Sequence, residues 1–221
     1  MTAPGAGGEG ATREPVAVPM PMFPLGSVLF PHILLPLHVF EPRYQALVTD
    51  CLRQGQEFGV VLIERGTEVG GGDVRFDVGT VAHIREAAPV GDGRWAILGV
   101  GTRRLRVVAW LPDDPYPLAL VAELGEVRLP SAGRGALDAA ETAVRRALAL
   151  AGELDEAPVP STFALVDDAD VAVWQLAASA PLGPVDQQRL LEIDDPVARL
   201  ELLSTLAAEA STVLSYRLAG A

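Results

Sequence analysis

From Val16 to about Arg128 the apolar residues come in short bursts, each bounded by Gly, Pro or Asp. VAVPMPMF, ILLPLHVF, FGVVLIE, VGTVAHIRE, WAILGVG, LRVVAW and LALVAEL have strand length and are dominated by Val, Ile, Leu and Phe. They predict six or seven β-strands. VGGGDV at 69–74 and VGDGRW at 90–95 carry Gly and Asp-Gly where tight turns require positive φ. Strands in that number, joined by such turns, predict a closed or nearly closed barrel with few unpaired edges.

After VRLP and the Gly-rich SAGRG the spacing of apolar residues becomes helical. Leu137, Ala140, Val144, Leu148 and Ala151 share one face, Glu141 and Arg145 form an i,i+4 pair, and Gly152 suits the stop. DADVAVWQLAAS predicts a second helix and PVDQQRLLEI a short third. Asp195 and Pro196 open a fourth, with Leu200, Leu203, Ala207, Ala210, Leu214 and Leu218 on one stripe, widened by Leu206 and Val213. From Pro196 to Ala219 it would span roughly 36 Å. The expected organisation is a disordered tail over 1–15, a β-rich part over 16–128, a linker over 129–135 and a helical part over 136–221.

Within the β-rich part, LPLHVFEPRY at 35–44 turns from strand to helix. Pro42 suits a first helical residue and Glu41 favours that terminus, directly or electrostatically. Tyr44, Leu47, Val48, Cys51 and Leu52 then line one face, with Gly55 at the stop. Glu41 and Arg43 therefore read as helix-start residues, with Arg43 expected to pair with a nearby carboxylate or helix end. His38 is expected to be a packed or hydrogen-bonded histidine rather than a ligand.

Composition removes several classes of chemistry. All 17 basic residues are Arg, so there is no lysine for a P-loop, a Ser–Lys dyad or a Schiff base. Cys51 is the single cysteine, which excludes an intramolecular disulfide and leaves a cysteine zinc site without ligands. The net charge of −12 is uneven. Residues 1–137 hold 15 acidic and 12 basic side chains, and residues 138–221 hold 14 and 5. Such a surface repels phosphate backbones and anionic lipid, so nucleic acid and membrane are unexpected partners. The first fourteen residues lack a basic n-region and an apolar core, and VLFPHILLPLHVF is interrupted by Pro31 and Pro36. A cytoplasmic location is the expectation.

The remaining polar residues offer little catalytic pattern. Ser27, His32 or His38, and Glu41 could form a triad in principle, but no G-x-S-x-G elbow accompanies them. His32, His38 and His83 lack ligand spacing. GVGTRR and GGGDVR do not complete a phosphate loop and read as turns. Arg104 and Arg106 are expected on the outer face of a strand, opposite inward Leu105, Val107 and Ala109. With Arg103 they form the one candidate polyanion site. Asp167, Asp168 and Asp170 read as a helix N-terminus rather than a cation site. No catalytic residue, metal or cofactor is expected.

The series FPL, LFP, LPL and VFEPRY within PMFPLGSVLFPHILLPLHVFEPRYQALVTDCLRQGQEFGVVL resembles the opening of the LON substrate-binding domain, the N-terminal domain of ATP-dependent Lon proteases. The likeness continues through VRFDVGTVAHI, DGRWAILGVGTRRLRV, DDPYPLALVAEL and QQRLLEIDDPVARLELLSTLAAE, covering about 18–215. It implies an α+β fold, an N-terminal PUA-like β pseudo-barrel followed by a C-terminal α-helical bundle. A chain stopping at Ala221 is expected to lack the ATPase and peptidase modules of those proteases. The implied function is non-enzymatic binding of unfolded or partly folded polypeptide, with a protease or chaperone as a further partner in protein quality control. RNA binding through the arginine-rich strand is the alternative, since PUA-like folds include RNA binders. Such recognition needs an exposed apolar patch with a polar rim. Candidate members are Phe30, His38, Phe40, Arg43, Tyr44, Phe58, Trp110 and Tyr116, with Trp95 beside them. At 5% aromatics most of the rings are expected in the core. The seam between barrel and helices is the expected position of a groove.

Overall fold

The computed structural model describes residues 17–65 and 74–220. The expected 1–15 tail and most of the Gly-rich turn at 69–74 lie outside them. The described residues form six strands: β1 (Val18–Leu25), β2 (Leu34–Val39), β3 (Glu57–Arg65), β4 (Val74–Pro89), β5 (Trp95–Leu111) and β6 (Leu118–Glu123). Helix α1 (Pro42–Gln54) sits between β2 and β3. Helices α2 (Arg134–Glu153), α3 (Ala169–Ser179), α4 (Pro184–Glu192) and α5 (Pro196–Ala219) follow the strands. No helix among the described residues is long and apolar enough to cross a membrane.

The strand order is β2-β5-β4-β3-β1-β6, and β5 also pairs with β6. Strands β1, β3, β4, β5 and β6 therefore close a ring, while β2 is added outside it on the first half of β5. The ring is not a regular barrel. Strands β1 and β3 run parallel, the other pairs run antiparallel, and bulges interrupt β3–β4, β4–β5 and β5–β6. The bursts WAILGVG and LRVVAW, expected as separate strands, are one strand of 17 residues. Its first half pairs with β2 and its second with β6, and between them Gly101 lies tight against the Phe30 carbonyl, where any Cβ would collide.

Two clusters fill the β-rich part. Phe23, Tyr44, Leu47, Val48, Phe58 and Ile97 pack α1 over the ring, with Phe23 and Tyr44 stacked at 4.0 Å. Met20, Met22, Val61, Val81, Leu105 and Val121 fill the other end. Helix α1 starts at Pro42 and ends at Gly55, whose φ of 120° suits glycine. The Glu41 carboxylate does not cap this helix through its side chain but holds Arg43 Nε at 3.0 Å.

The helices form a second body around Leu137, Val144, Leu148, Trp174, Leu176, Leu200 and Leu203. Phe30 and Val78 of the β-rich part belong to the same cluster. Asp168 caps α3, accepting from the amides of Asp170 and Val171, and Asp170 Oδ1 accepts from Leu129 N at 2.7 Å. Asp195 caps α5 through Val197 N. Each such cap contributes about 1 kcal/mol. Val213, expected on the buried stripe of α5, is exposed, because that edge of the helix faces an open groove beside Pro181 and Leu182.

Candidate functional site

Around Arg104 the seam between sheet and helices is closed. Arg104, expected on an outer face, is 1% exposed and points into the joint. Its guanidinium donates to the carbonyls of Leu191 (3.0 Å), Ile193 (3.3 Å) and Gly125 (3.4 Å) and to Asp194 Oδ1 (2.9 Å). Arg199, on α5, donates to the carbonyls of Leu190 and Ile193 and lies 3.8 Å from the Trp174 ring centroid. Both arginines thus satisfy carbonyls at the C-terminal end of α4, where the helix dipole favours cations. Burial, then the nearby Arg104 charge, lowers the Arg199 pKa to about 10. The void left among these residues is about 10 Å³, too small for a ligand.

The arginine strand loses its polyanion geometry in the same way. Arg103 is held by Glu57 through two bonds of 2.8 and 2.9 Å and by Glu123 at 2.6 Å. The Arg103 guanidinium holds the Glu57 carboxyl below its usual range. Only Arg106 of the three is exposed without such a clamp, and it faces Glu64, Asp77 and Glu192 across a small cleft. Ala109 turns outward rather than inward because the β5–β6 register shifts between Val107 and Ala109.

The other candidates scatter. Phe30, Tyr44 and Phe58 are core residues, 1%, 4% and 0% exposed, so none can belong to an exposed patch. Arg43 lies over the Tyr44 ring at 4.5 Å. Half-buried Trp110 carries Arg75 at 4.3 Å, on the far end of the ring. Tyr116 donates to Asp50 at 3.0 Å, and burial followed by that bond raises its pKa to about 12. Burial also pushes the Cys51 thiol to about 12, and its Sγ donates to Glu57 O at 3.2 Å. His38, expected to be packed or hydrogen-bonded, is exposed, and among the described residues it forms neither a hydrogen bond nor an ion pair. No triad is assembled, and no three metal-ligating side chains come together among the described residues.

One open surface is the outer face of the β2–β5–β4 sheet. Along β2, Leu34, Pro36 and His38 are exposed while Leu35 and Leu37 lean toward the core under α1. Phe40 follows them at 59% exposure, and Leu34 is 60% exposed. The β2–β5 register places Leu34 beside Val100, Pro36 beside Leu98 and His38 beside Ala96. On β4, Glu86 and Ala88 continue the rows opposite Leu98 and Ala96. The depression over Pro36, His38, Ala88, Ala96 and Leu98 holds about 350 Å³. Sequence reasoning picked out His38 and Phe40 but missed Leu34, Pro36 and Leu98. The available signal was a run from Ile33 to Phe40 with no charged side chain, broken by a proline of the kind edge strands favour.

A larger groove, about 650 Å³, lies between α2 and α5. Its lining offers less to a ligand. Thr142, Ser211, Thr212 and Ser215 bond back to carbonyls of their own helices, and the rest is mostly alanine around Tyr216 and Arg146. The sheet face presents larger apolar side chains together with an unpaired strand edge.

The model of the ATP-dependent protease La (LON) substrate-binding domain family matches residues 19–209. Lon protease 2 of Herpetosiphon aurantiacus is 28% identical over 203 residues, covering 88% of this chain and 24% of that protein. The chain thus spans about a quarter of the length of the full proteases it matches. Among solved structures, a Lon N-terminal domain protein from Xanthomonas campestris shares 32% identity with a TM-score of 0.61, over 84% of this chain and 96% of that one. The N-terminal domain of a Mycobacterium avium complex Lon protease superposes with a TM-score of 0.64 at 15% identity, over 87% and 99%.

Proposed function

Because this chain belongs to the LON substrate-binding domain family, we propose that it binds unfolded or partly folded polypeptide on the outer β2–β5–β4 face, performs no chemistry on it, and serves protein quality control as an adaptor to a protease or chaperone. The observation that carries this reading is the uncovered apolar sheet face of Leu34, Pro36 and Leu98, with His38 and Glu86 on it and the exposed Phe40 following β2 in the chain. Folded polypeptides bury such side chains of their own, so a surface of this kind discriminates for chains that have failed to do so. Two leucines and a proline in one patch present apolar contact area without a charge to desolvate.

The test is an anisotropy titration of a labelled, reduced and alkylated polypeptide that cannot refold. Saturable binding is expected, weakened about tenfold or more by Leu34→Asp or Leu98→Asp, each of which places a charge in the patch. Equal binding by wild type and both variants, with their circular dichroism unchanged, would remove the site. No binding to any unfolded polypeptide would remove the function.

A further inference from the structure

Building on that reading, we infer that β2 takes its guest as an added β-strand: an extended segment of polypeptide pairs, backbone to backbone, with the free edge of β2. The backbone groups that face that edge are free to pair. Gly101 N donates to Ile33 O at 2.9 Å, and His32 N, in a left-handed turn with φ of 65°, donates to Gly101 O at 2.7 Å. Ile33 therefore directs its carbonyl toward β5. Backbone direction alternates along an antiparallel strand, so Leu35, Leu37 and Val39 turn both amide and carbonyl to β5 as well. Leu34, Pro36 and His38 turn theirs to the opposite edge.

Among the described residues β2 pairs with β5 alone, and no other backbone group bonds to Leu34, Pro36 or His38. The edge thus offers two N–H donors, on Leu34 and His38, and three carbonyls. Pro36 stands at a position whose N–H would have faced outward, so it costs the β5 ladder nothing and leaves a gap in the middle of the donor row.

Exposed edges are normally blunted by charged side chains, covered by a loop, or kept very short. From Ile33 to Phe40 there is no Asp, Glu, Lys or Arg. One proline prevents continuous pairing without closing the edge. That combination suits an edge that accepts a short extended guest and does not propagate into a longer sheet. A guest strand would also carry its alternate side chains onto the row of Leu34, Pro36 and His38. The chemistry selected is an extended apolar segment, rich in β-branched residues, with free amides on the side that meets β2.

The test uses two readouts on the full chain with a valine- and threonine-rich peptide as probe. In the first, amide exchange is followed at Leu34 and His38. Both should exchange freely in the peptide-free protein and slow at least tenfold on saturation. In the second, the peptide is N-methylated at alternate residues in either parity, which keeps its side chains and deletes half its donors. Methylation in one parity should weaken binding about tenfold or more, and in the other parity should leave it unchanged. Binding that ignores both methylation patterns and leaves the Leu34 and His38 amides exchanging would overturn strand addition while the polypeptide-binding reading stood. Protection already present without peptide would mean that another strand, from the same chain or a second copy, holds the edge. That result too would overturn the inference. Absence of any peptide binding would end both.

Discussion

Removing the guanidinium of Arg104 should loosen the joint between sheet and helices. Arg104→Met keeps the apolar stem but leaves the buried carbonyl of Leu191 without its guanidinium partner. A loss of about 2–4 kcal/mol in denaturant unfolding is expected. A loss under about 0.5 kcal/mol would mean that these bonds stabilise nothing. Cys51 gives a second residue-scale check. Its buried thiol, with a pKa raised to about 12, should resist an aromatic disulfide reagent at pH 8 and react only as fast as the protein opens. Glu57 gives a third. Its folded pKa lies below its ordinary 4.5, so the stability it contributes is present above that value and is lost as pH falls through the folded pKa. Glu57→Gln should flatten part of the acid limb of a stability–pH profile, modestly because the pair is partly solvated. These residues also mark where sequence reading stops. The alternation of LRVVAW told correctly that Leu105 and Val107 point inward. It put Arg104 outside because period two cannot reveal that a second layer of helices covers the outer face there.

At the scale of elements, punctuation was the most legible feature. Pro42 and Gly55 bound α1, Asp168 caps α3, and Pro196 to Ala219 delimit α5, since each signal acts through its own backbone groups. The join of two apolar bursts into β5 was not legible, because Gly101 between them reads as a break, and only the fold shows the distant carbonyl of Phe30 packed against it. Gly101→Ala should therefore cost at least about 2 kcal/mol, well beyond the propensity difference, and should reduce soluble yield. Full stability in that variant, measured by thermal unfolding, would show that β5 does not depend on this close approach. The exposed face of β2 was hidden for another reason. Both parities of ILLPLHVF are apolar, so the pattern itself does not tell which side meets the core.

In the molecule as a whole, the two halves differ in what they cover. The helices close one side of the ring through Trp174, Arg104 and Arg199, and leave the β2 side bare. With 14 acidic and 5 basic side chains over residues 138–221, the helical half carries most of the net negative charge. The most direct measurement is photo-crosslinking of a permanently unfolded polypeptide to the full chain, with the crosslinked residues mapped by mass spectrometry. The account predicts that crosslinks concentrate on Ile33–Phe40 and on the facing stretch Ala96–Val100. Crosslinks gathered in the groove between α2 and α5, or spread evenly over the surface, would contradict it.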